Sequence, residues 1–208
     1  LYNSPLLPPS FVAAALSSGA ALMILVMVVL FRVTGRHLED SLVIWLGRRL
    51  LAVFLLCALY VMLIENAHRY YLIESREAAQ FFLFGGFHSL LFWVGLILVG
   101  SIIPAILLFI KRTGESVPWL VFSAALVVLG VLCERFLIVV PGLIHPPTLF
   151  PGMEVTGTVL EEGIVGYSVG FLEVLQALGV LGIIGFMFLA GLKLMPLAPT
   201  EARGRPRK

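Results

Sequence analysis

The sequence predicts an all-α, polytopic membrane helix bundle with five transmembrane helices, and three observations lead to that fold class. Of the 208 residues, 60% are hydrophobic, and the mean hydropathy is +1.06. Only 12% are charged, about half the share of an ordinary soluble domain. The apolar residues gather in five runs of about 20 residues, the length of helix that crosses ~30 Å of hydrocarbon. A soluble enzyme, a disordered tail and a nucleic-acid-binding module are therefore excluded.

The five predicted spans are separated by polar or proline-containing segments. An interfacial stretch from Ser41 is expected to precede the second span. Pro104 predicts a kink in the third span. The fourth span is expected to end at Pro141. The spans cover residues 11–31, 50–70, 87–110, 118–140 and 169–194. We expect one transmembrane bundle over residues 1–195, followed by a basic cytoplasmic tail over residues 196–208.

The distribution of basic residues predicts the orientation. If the ends that follow the first, third and fifth spans share one side of the membrane, that side collects eleven lysines and arginines and the other side three: Arg69, Arg76 and Arg135. Basic residues concentrate on the cytoplasmic side of membrane proteins. The N-terminus is therefore expected outside and the C-terminus inside, with the protein in the cell inner membrane.

Several ionisable side chains are predicted to lie at membrane depth, near the outer face. Counting about 20 residues of helical rise from Arg48, at the inner end of the second span, reaches only to about Arg69. Equivalent counts along the other spans place their polar residues at a similar level. The predicted layer comes from four helices and consists of Glu65, His68, His88, Glu134, Arg135 and Glu173, flanked by Tyr70.

Two interpretations of this layer remain open. A charge at membrane depth costs several kcal/mol unless it is paired or hydrated, so such residues are often functional, and acids and histidines beside aromatic rings suit a quinone site or a proton path. Alternatively, ion pairs such as Glu134 with Arg69, or Arg135 with Glu65, only hold helices together. The histidines lie at helix ends with no second pair, which disfavours haem. Cys57 and Cys133 have no metal-ligand spacing, and nucleotide-binding, zinc-protease and CxxC motifs are absent.

Four segments of the chain carry a family resemblance. They are "YNSPLLPPSFVAAALSSGAAL" (2–22), "FHSLLFWVGLILVGSIIPAILL" (87–108), "LCERFLIVVPGL" (132–143) and the closing "GLKLMPL" (191–197). Together they resemble the NrfD/polysulfide reductase membrane subunits, with the Glu134-Arg135-aromatic stretch as the sharpest match. Family members have more spans than the five predicted here, and the chain resembles their C-terminal half.

The resemblance implies a membrane anchor of a respiratory complex. Such subunits exchange electrons and protons with menaquinone or ubiquinone and bind no haem or iron–sulfur cluster themselves. They dock an iron–sulfur subunit that connects them to a molybdenum-type or multihaem catalytic subunit, and an N-terminal membrane bundle is a further expected partner. Glu65, Glu134 and Arg135 are the positions carried over, as a proton path or polar core. We expect the outer loops, 74–84 and 142–166, to meet the iron–sulfur subunit.

The sequence thus predicts an integral membrane subunit of a quinone-linked respiratory oxidoreductase. A proton-coupled transporter half and a purely structural membrane anchor are the alternatives. The candidate residues for a quinone site or proton path are Glu65, His68, Tyr70, His88, Glu134, Arg135 and Glu173. No metal site is expected, and the non-protein partners are membrane lipid and quinone rather than nucleic acid.

Overall fold

The fold is helical, as predicted. A computed structural model describes residues 6–34, 40–71, 83–84, 86–144 and 170–194, and in these ranges the chain forms helices and short turns without a strand. Within these ranges, five helical spans are long and apolar enough to cross a membrane, which agrees with the predicted number. They are Leu7–Val33, Asp40–Tyr71, His88–Phe109, Val117–Val140 and Phe171–Leu194, called the first to fifth spans below.

The spans divide between two compact units. Residues 1–162 form one unit, which contains the first four spans, and residues 163–208 form the other, which contains the fifth. In the second unit, the described element is one helix, Phe171–Leu194, with Glu173 in its first turn and Lys193 in its last. The tail over residues 196–208 lies outside the described residues, so its boundary with the bundle stays a prediction.

Two of the spans change helix type along their length. The second consists of α-helix Asp40–Trp45, π-helix Leu46–Leu51 and α-helix Ala52–Tyr71. The third consists of α-helix Gly86–Leu90, π-helix Leu91–Ile102 and α-helix Ile103–Phe109. The first and fourth are α-helices Leu7–Thr34 and Val117–Ile144, and a short helix, Lys111–Gly114, precedes the fourth.

The second span starts earlier than predicted. It runs for 32 residues from Asp40, a length of more than 40 Å where ~30 Å would cross the hydrocarbon. The stretch from Ser41 that was expected as an interfacial lead-in is therefore part of the same helix. Asp40 lies in the first turn, where an acidic side chain interacts favourably with the positive end of the helix dipole.

The two prolines act differently from each other. Pro104 lies in the first turn of the α-helical part of the third span, directly after the π-helical turns. Proline lacks the amide hydrogen for an i→i−4 bond and crowds the carbonyl four residues earlier, so wider turns ahead of it relieve that contact. The fourth span ends at Val140, directly before Pro141, although helical backbone continues to Ile144. A proline removes one hydrogen bond, and the residues after it can still complete a last turn.

The first four spans pack around a shared aliphatic core. Each contributes at least one fully buried side chain, and the largest of these are Ile24, Leu51, Leu108 and Leu120. A second cluster lies further from Arg48 along the helices and contains Met62, Phe92, Leu96, Ile97 and Leu137. We call the first group the aliphatic core. It separates the Arg48 end of the bundle from the polar residues described below.

The third and fourth spans touch backbone to backbone at two glycines. A Cβ atom added to Gly100 would lie 2.5 Å from the Cα atom of Gly130, and one added to Gly130 would meet the Cα atom of Gly100. Small residues allow the two backbones to approach closely. In a membrane this van der Waals packing holds helices together, because lipid is as apolar as the protein interior and hydrophobic burial gives no preference. The Gly100–Gly130 crossing therefore sets the distance between these two spans.

An ion pair marks one end of the bundle. Arg48 Nη1, in the second span, donates to Glu115 Oε1, just before the fourth span, over 2.8 Å, and the two side chains are 34% and 48% exposed. This contact places the start of the fourth span level with Arg48. The pair gives a reference height from which the positions of other residues can be counted.

We expect Glu115→Gln to change the stability of the protein little. Exposed ion pairs contribute about 0–1 kcal/mol because solvent screens them and both side chains lose freedom. The thermal unfolding midpoint in detergent is the measurement. A large fall in the midpoint would contradict the assignment of this pair to the exposed end of the bundle.

Candidate functional site

Two carboxylates lie at matching heights on neighbouring spans. Glu65 follows Arg48 by about 17 residues and Glu134 follows Glu115 by about 19, which correspond to roughly 25 Å and 28 Å of helix. The Arg48–Glu115 pair fixes a common starting level. Both acids therefore lie toward the opposite end of the bundle, as the residue counts predicted.

Glu65 forms an ion pair within its own helix. Its Oε1 accepts a short hydrogen bond from Arg69 Nη2, four residues later. The side chains are only 8% and 14% exposed, so this pair is much more buried than Arg48–Glu115. Because residues four apart share a helix face, the second span presents both charges on the same side.

A cavity brings this pair together with Glu134. It has a volume of about 40 Å³ and is lined by Met62, Glu65, Asn66, Arg69, Phe92, Leu96, Glu134, Leu137 and Ile138. A space of that size admits water. We call it the acid cavity. It is lined by two carboxylates from different spans and by one guanidinium.

Glu134 also lines a second cavity. This one has a volume of about 20 Å³, and its polar lining, besides Glu134, consists of Ser10, Ser17 and Ser101. Leu55, Ala58 and Leu59 form part of its wall, which places it nearer to Arg48 than the acid cavity is. We call it the serine cavity. Glu134 is thus the one side chain with an ionisable group that the two cavities share.

The Glu134 carboxylate lacks a directly bonded partner in the described part of the chain. It forms neither an ion pair nor a hydrogen bond with a described residue, and its oxygens are not among the buried polar atoms without a partner. A half-buried carboxylate needs hydrogen-bond donors from another source, and both cavities are large enough to admit water. Glu65 is held by Arg69, whereas the Glu134 carboxyl group can exchange hydrogen bonds on two sides.

Arg135 faces a different helix from Glu134. Its guanidinium carbon lies 4.0 Å from the centre of the Phe11 ring, at the start of the first span. This is a cation–π contact, and Nη1 is buried with no hydrogen-bond partner among the described residues. Successive helical residues point about 100° apart, which explains why Glu134 and Arg135 do not share one site. The ion pairs considered from the sequence are replaced by Glu65–Arg69 on one helix and Arg135–Phe11 across two.

The remaining predicted residues do not line either cavity. His68 is half-buried, and its Nδ1 atom has no hydrogen-bond partner among the described residues. Tyr70 is 42% exposed, and His88 is half-buried at the start of the third span. In the second unit, Glu173 Oε2 accepts from the backbone amide of Gly170 over 3.4 Å, at the start of its own helix. The structure thus places Glu65 and Glu134 on one cavity, and the roles of all seven residues stay predictions.

The sequence analysis missed the serines and the partner of Glu65. Ser10 and Ser17 are seven residues apart and so lie on one helix face, a spacing that marks a polar stripe in an otherwise apolar span. The Glu65–Arg69 spacing of four is the common geometry of a helical ion pair. Among the described residues, no group of three or more histidines, cysteines or acids is placed to hold a metal ion.

Comparison with known proteins gives consistent results. The polysulphide reductase NrfD family profile matches residues 1–147. The chain is 33% identical to the Hdr-like menaquinol oxidoreductase integral membrane subunit of Archaeoglobus fulgidus, over 97% of this chain and 51% of that protein. It is 31% identical to a selenate reductase subunit of Mesobacillus selenatarsenatis, over 93% of this chain and 44% of that protein. No solved structure matches the chain.

The chain spans about half the length of the curated relatives it matches. The profile match covers more than half of the chain and includes the first four spans, with both cavities. The residues that the family profile matches thus include those that build the candidate site. The chain is therefore a multi-pass integral membrane protein of the polysulphide reductase NrfD family.

Proposed function

We propose that this chain is an integral membrane subunit of a quinone-linked respiratory oxidoreductase, in which Glu134 and Glu65 exchange protons with water. The names of two relatives, a menaquinol oxidoreductase membrane subunit and a selenate reductase subunit, support the class of complex. The position of Glu134 between two water-sized cavities carries the assignment of proton exchange.

The cavities suit water and not a quinone ring. Volumes of about 20 Å³ and 40 Å³ hold one or a few water molecules, and an aromatic headgroup does not fit. We therefore assign water, rather than a quinone headgroup, to these two cavities. Proton exchange at the carboxylates accompanies quinone chemistry that takes place elsewhere in the complex.

The chemistry at Glu134 needs no redox change. A carboxylic acid that donates its proton to a cavity water becomes a carboxylate, and the reverse transfer restores it. Arg69 holds the Glu65 carboxylate in a fixed position on the acid cavity. Glu134 then presents its oxygens to water from either cavity, so a proton can enter from one side and leave on the other.

The proposed class of complex also implies protein partners and a position in the membrane for this chain. We infer an iron–sulfur subunit and a molybdenum-type or multihaem catalytic subunit as partners, together with a further membrane bundle. The predicted partner-binding loop over residues 142–166, from 145 onward, and most of the loop over residues 74–84 lie outside the described residues. With the N-terminus outside and the chain in the cell inner membrane, both acids lie toward the outer face.

Glu134→Gln tests this proposal in the intact complex. Glutamine keeps the shape and removes the exchangeable carboxyl proton, so we expect quinol-dependent turnover and proton uptake to fall by at least about tenfold. Turnover is measured on the purified complex and proton uptake with a pH-sensitive dye in vesicles. Glu115→Gln is the matched control, since it removes an acid of the same kind from the exposed end and should leave both rates unchanged. Unaltered rates in Glu134→Gln, with the complex intact, would refute the proposal.

A further inference from the structure

The Arg48 end of the bundle carries an excess of positive charge that the proposed function does not use. Among the described residues of the first unit, two acidic side chains lie at this end, Asp40 and Glu115. The basic side chains at the same end come from the first span, the second span and the short helix before the fourth span. They are Arg32, Arg48, Arg49, Lys111 and Arg112, which leaves an excess of three positive charges. A surface of one charge sign attracts partners of the opposite sign.

Three of these cations form what we call the basic cluster: Arg49, Lys111 and Arg112. They come from two elements that the Arg48–Glu115 ion pair joins. A Cβ atom added to Gly114 would lie 3.5 Å from the Cδ atom of Arg48, so the short helix packs directly against the second span. All three cations are exposed, and none of them forms an ion pair with a described residue. The basic cluster is therefore available to an anion from outside the bundle.

Exposed tryptophans lie close to the level of the basic cluster. Trp45 precedes Arg48 by three residues and Trp119 follows Glu115 by four, so each lies about one helical turn from the ion pair. The two residues are 52% and 48% exposed. Tryptophan concentrates where helices leave the hydrocarbon, because its ring suits acyl chains and its N–H group suits the polar layer. We therefore expect the basic cluster to lie among lipid headgroups.

From these observations we propose that the Arg48 end binds anionic phospholipids, with the basic cluster holding their phosphate groups and Trp45 and Trp119 contacting their acyl chains. A phospholipid supplies both parts that this surface requires, a phosphate for the cations and an apolar chain for the exposed rings. An acidic soluble protein would match the charge but would not supply acyl chains. In the predicted orientation this end meets the cytoplasmic leaflet, where anionic lipids attract basic residues near the membrane surface.

Quenching of tryptophan fluorescence by brominated lipids tests this surface in the purified full chain. The chain contains three tryptophans, and Trp93→Phe removes the one at the opposite end, so Trp45 and Trp119 become the reporters. In bilayers that mix phosphatidylglycerol with phosphatidylcholine, we expect brominated phosphatidylglycerol to be preferred beside these reporters by at least about fivefold, the factor that one basic residue near the surface supplies. Added salt should lower the preference, because it screens exposed charges.

The triple variant Arg49→Gln/Lys111→Gln/Arg112→Gln should lower the preference for phosphatidylglycerol to about one. These side chains are exposed, so the thermal unfolding midpoint in detergent should stay the same. Glu115→Gln makes the opposite change of charge at the same end, because it removes a carboxylate and releases Arg48, and it should raise the preference.

A change of reporter provides the control for position. Trp45→Phe/Trp119→Phe leaves Trp93, near the start of the third span, and this reporter should show little preference between the two lipids. A preference as large at Trp93 as at the Arg48 end would overturn the assignment to the basic cluster.

The remaining outcomes separate lipid from other anions and this site from the proposed function. Equal quenching by the two brominated lipids, or a preference that the triple variant retains, would overturn the site. Inorganic phosphate at constant ionic strength should not reduce the quenching, and displacement of the lipid by phosphate would assign the basic cluster to a soluble anion instead. Glu134→Gln should keep the lipid preference whatever its effect on proton uptake, so either proposal can fail without the other.

Discussion

Gly130→Ala is expected to destabilise the protein by about 3 kcal/mol, at the upper end of the cost of overpacking a tight interior. The added Cβ atom would run into the backbone of Gly100, and backbone atoms cannot turn aside as a flexible side chain can. The third and fourth spans must then move apart along the contact that holds the acid and serine cavities in place. The expected readout is a lower thermal unfolding midpoint in detergent.

Gly19→Ala is the matched control for this change. A Cβ atom at Gly19 meets nothing within 4 Å, and alanine is favoured over glycine in a helix by up to about 1 kcal/mol. We therefore expect Gly19→Ala to be neutral or slightly stabilising.

Cys133, in the fourth span, provides a local readout of the same contact. It packs close to Gly95 in the third span, because a Cβ atom added at Gly95 would lie 3.1 Å from the Cys133 Sγ atom. Faster labelling of Cys133 by a thiol-reactive dye in Gly130→Ala, in a Cys57→Ser background, would show the two spans separating. Equal stability of Gly130→Ala and Gly19→Ala would contradict the close crossing.

Residue counting placed Glu65 and Glu134 at matching heights. The positions of Glu65 and Glu134 followed from a rise of ~1.5 Å per residue and a known membrane thickness, and the structure brings both to the acid cavity. Four of the five predicted spans begin and end within four residues of the observed ones. The second differs because Asp40 and Ser41 continue a helix that is longer than the membrane requires.

Rotation about the helix axes was not predictable in the same way. In a soluble helix, polar residues mark the outer face, but here lipid and protein interior favour the same side chains. The sequence pattern therefore did not show that Gly19 faces outward while Gly100 and Gly130 meet. It also left the partner of Arg135 open, since the ring of Phe11 is one of many aromatic groups at that depth.

Glu65→Leu is expected to destabilise the protein by about 3 kcal/mol, because it removes one member of a buried ion pair and keeps the other. The side chain of Arg69 is only 14% exposed. The measurement is again the thermal unfolding midpoint of the purified protein. Glu115→Gln, which opens the exposed Arg48 pair instead, should cost no more than about 1 kcal/mol. A similar fall in both variants would show that burial does not distinguish the two pairs.

The double variant Glu65→Leu/Arg69→Leu separates a structural role of this pair from a functional one. Replacing both members of a buried ion pair by apolar residues is often neutral or stabilising, so we expect the unfolding midpoint to return close to that of the original protein. Proton uptake by the complex should nevertheless remain slow, because the acid cavity has lost one carboxylate and its only arginine. Recovery of both stability and uptake would instead mean that Glu65 and Arg69 only hold the helix in place. Glu134 would then be the single acid that handles protons on this cavity.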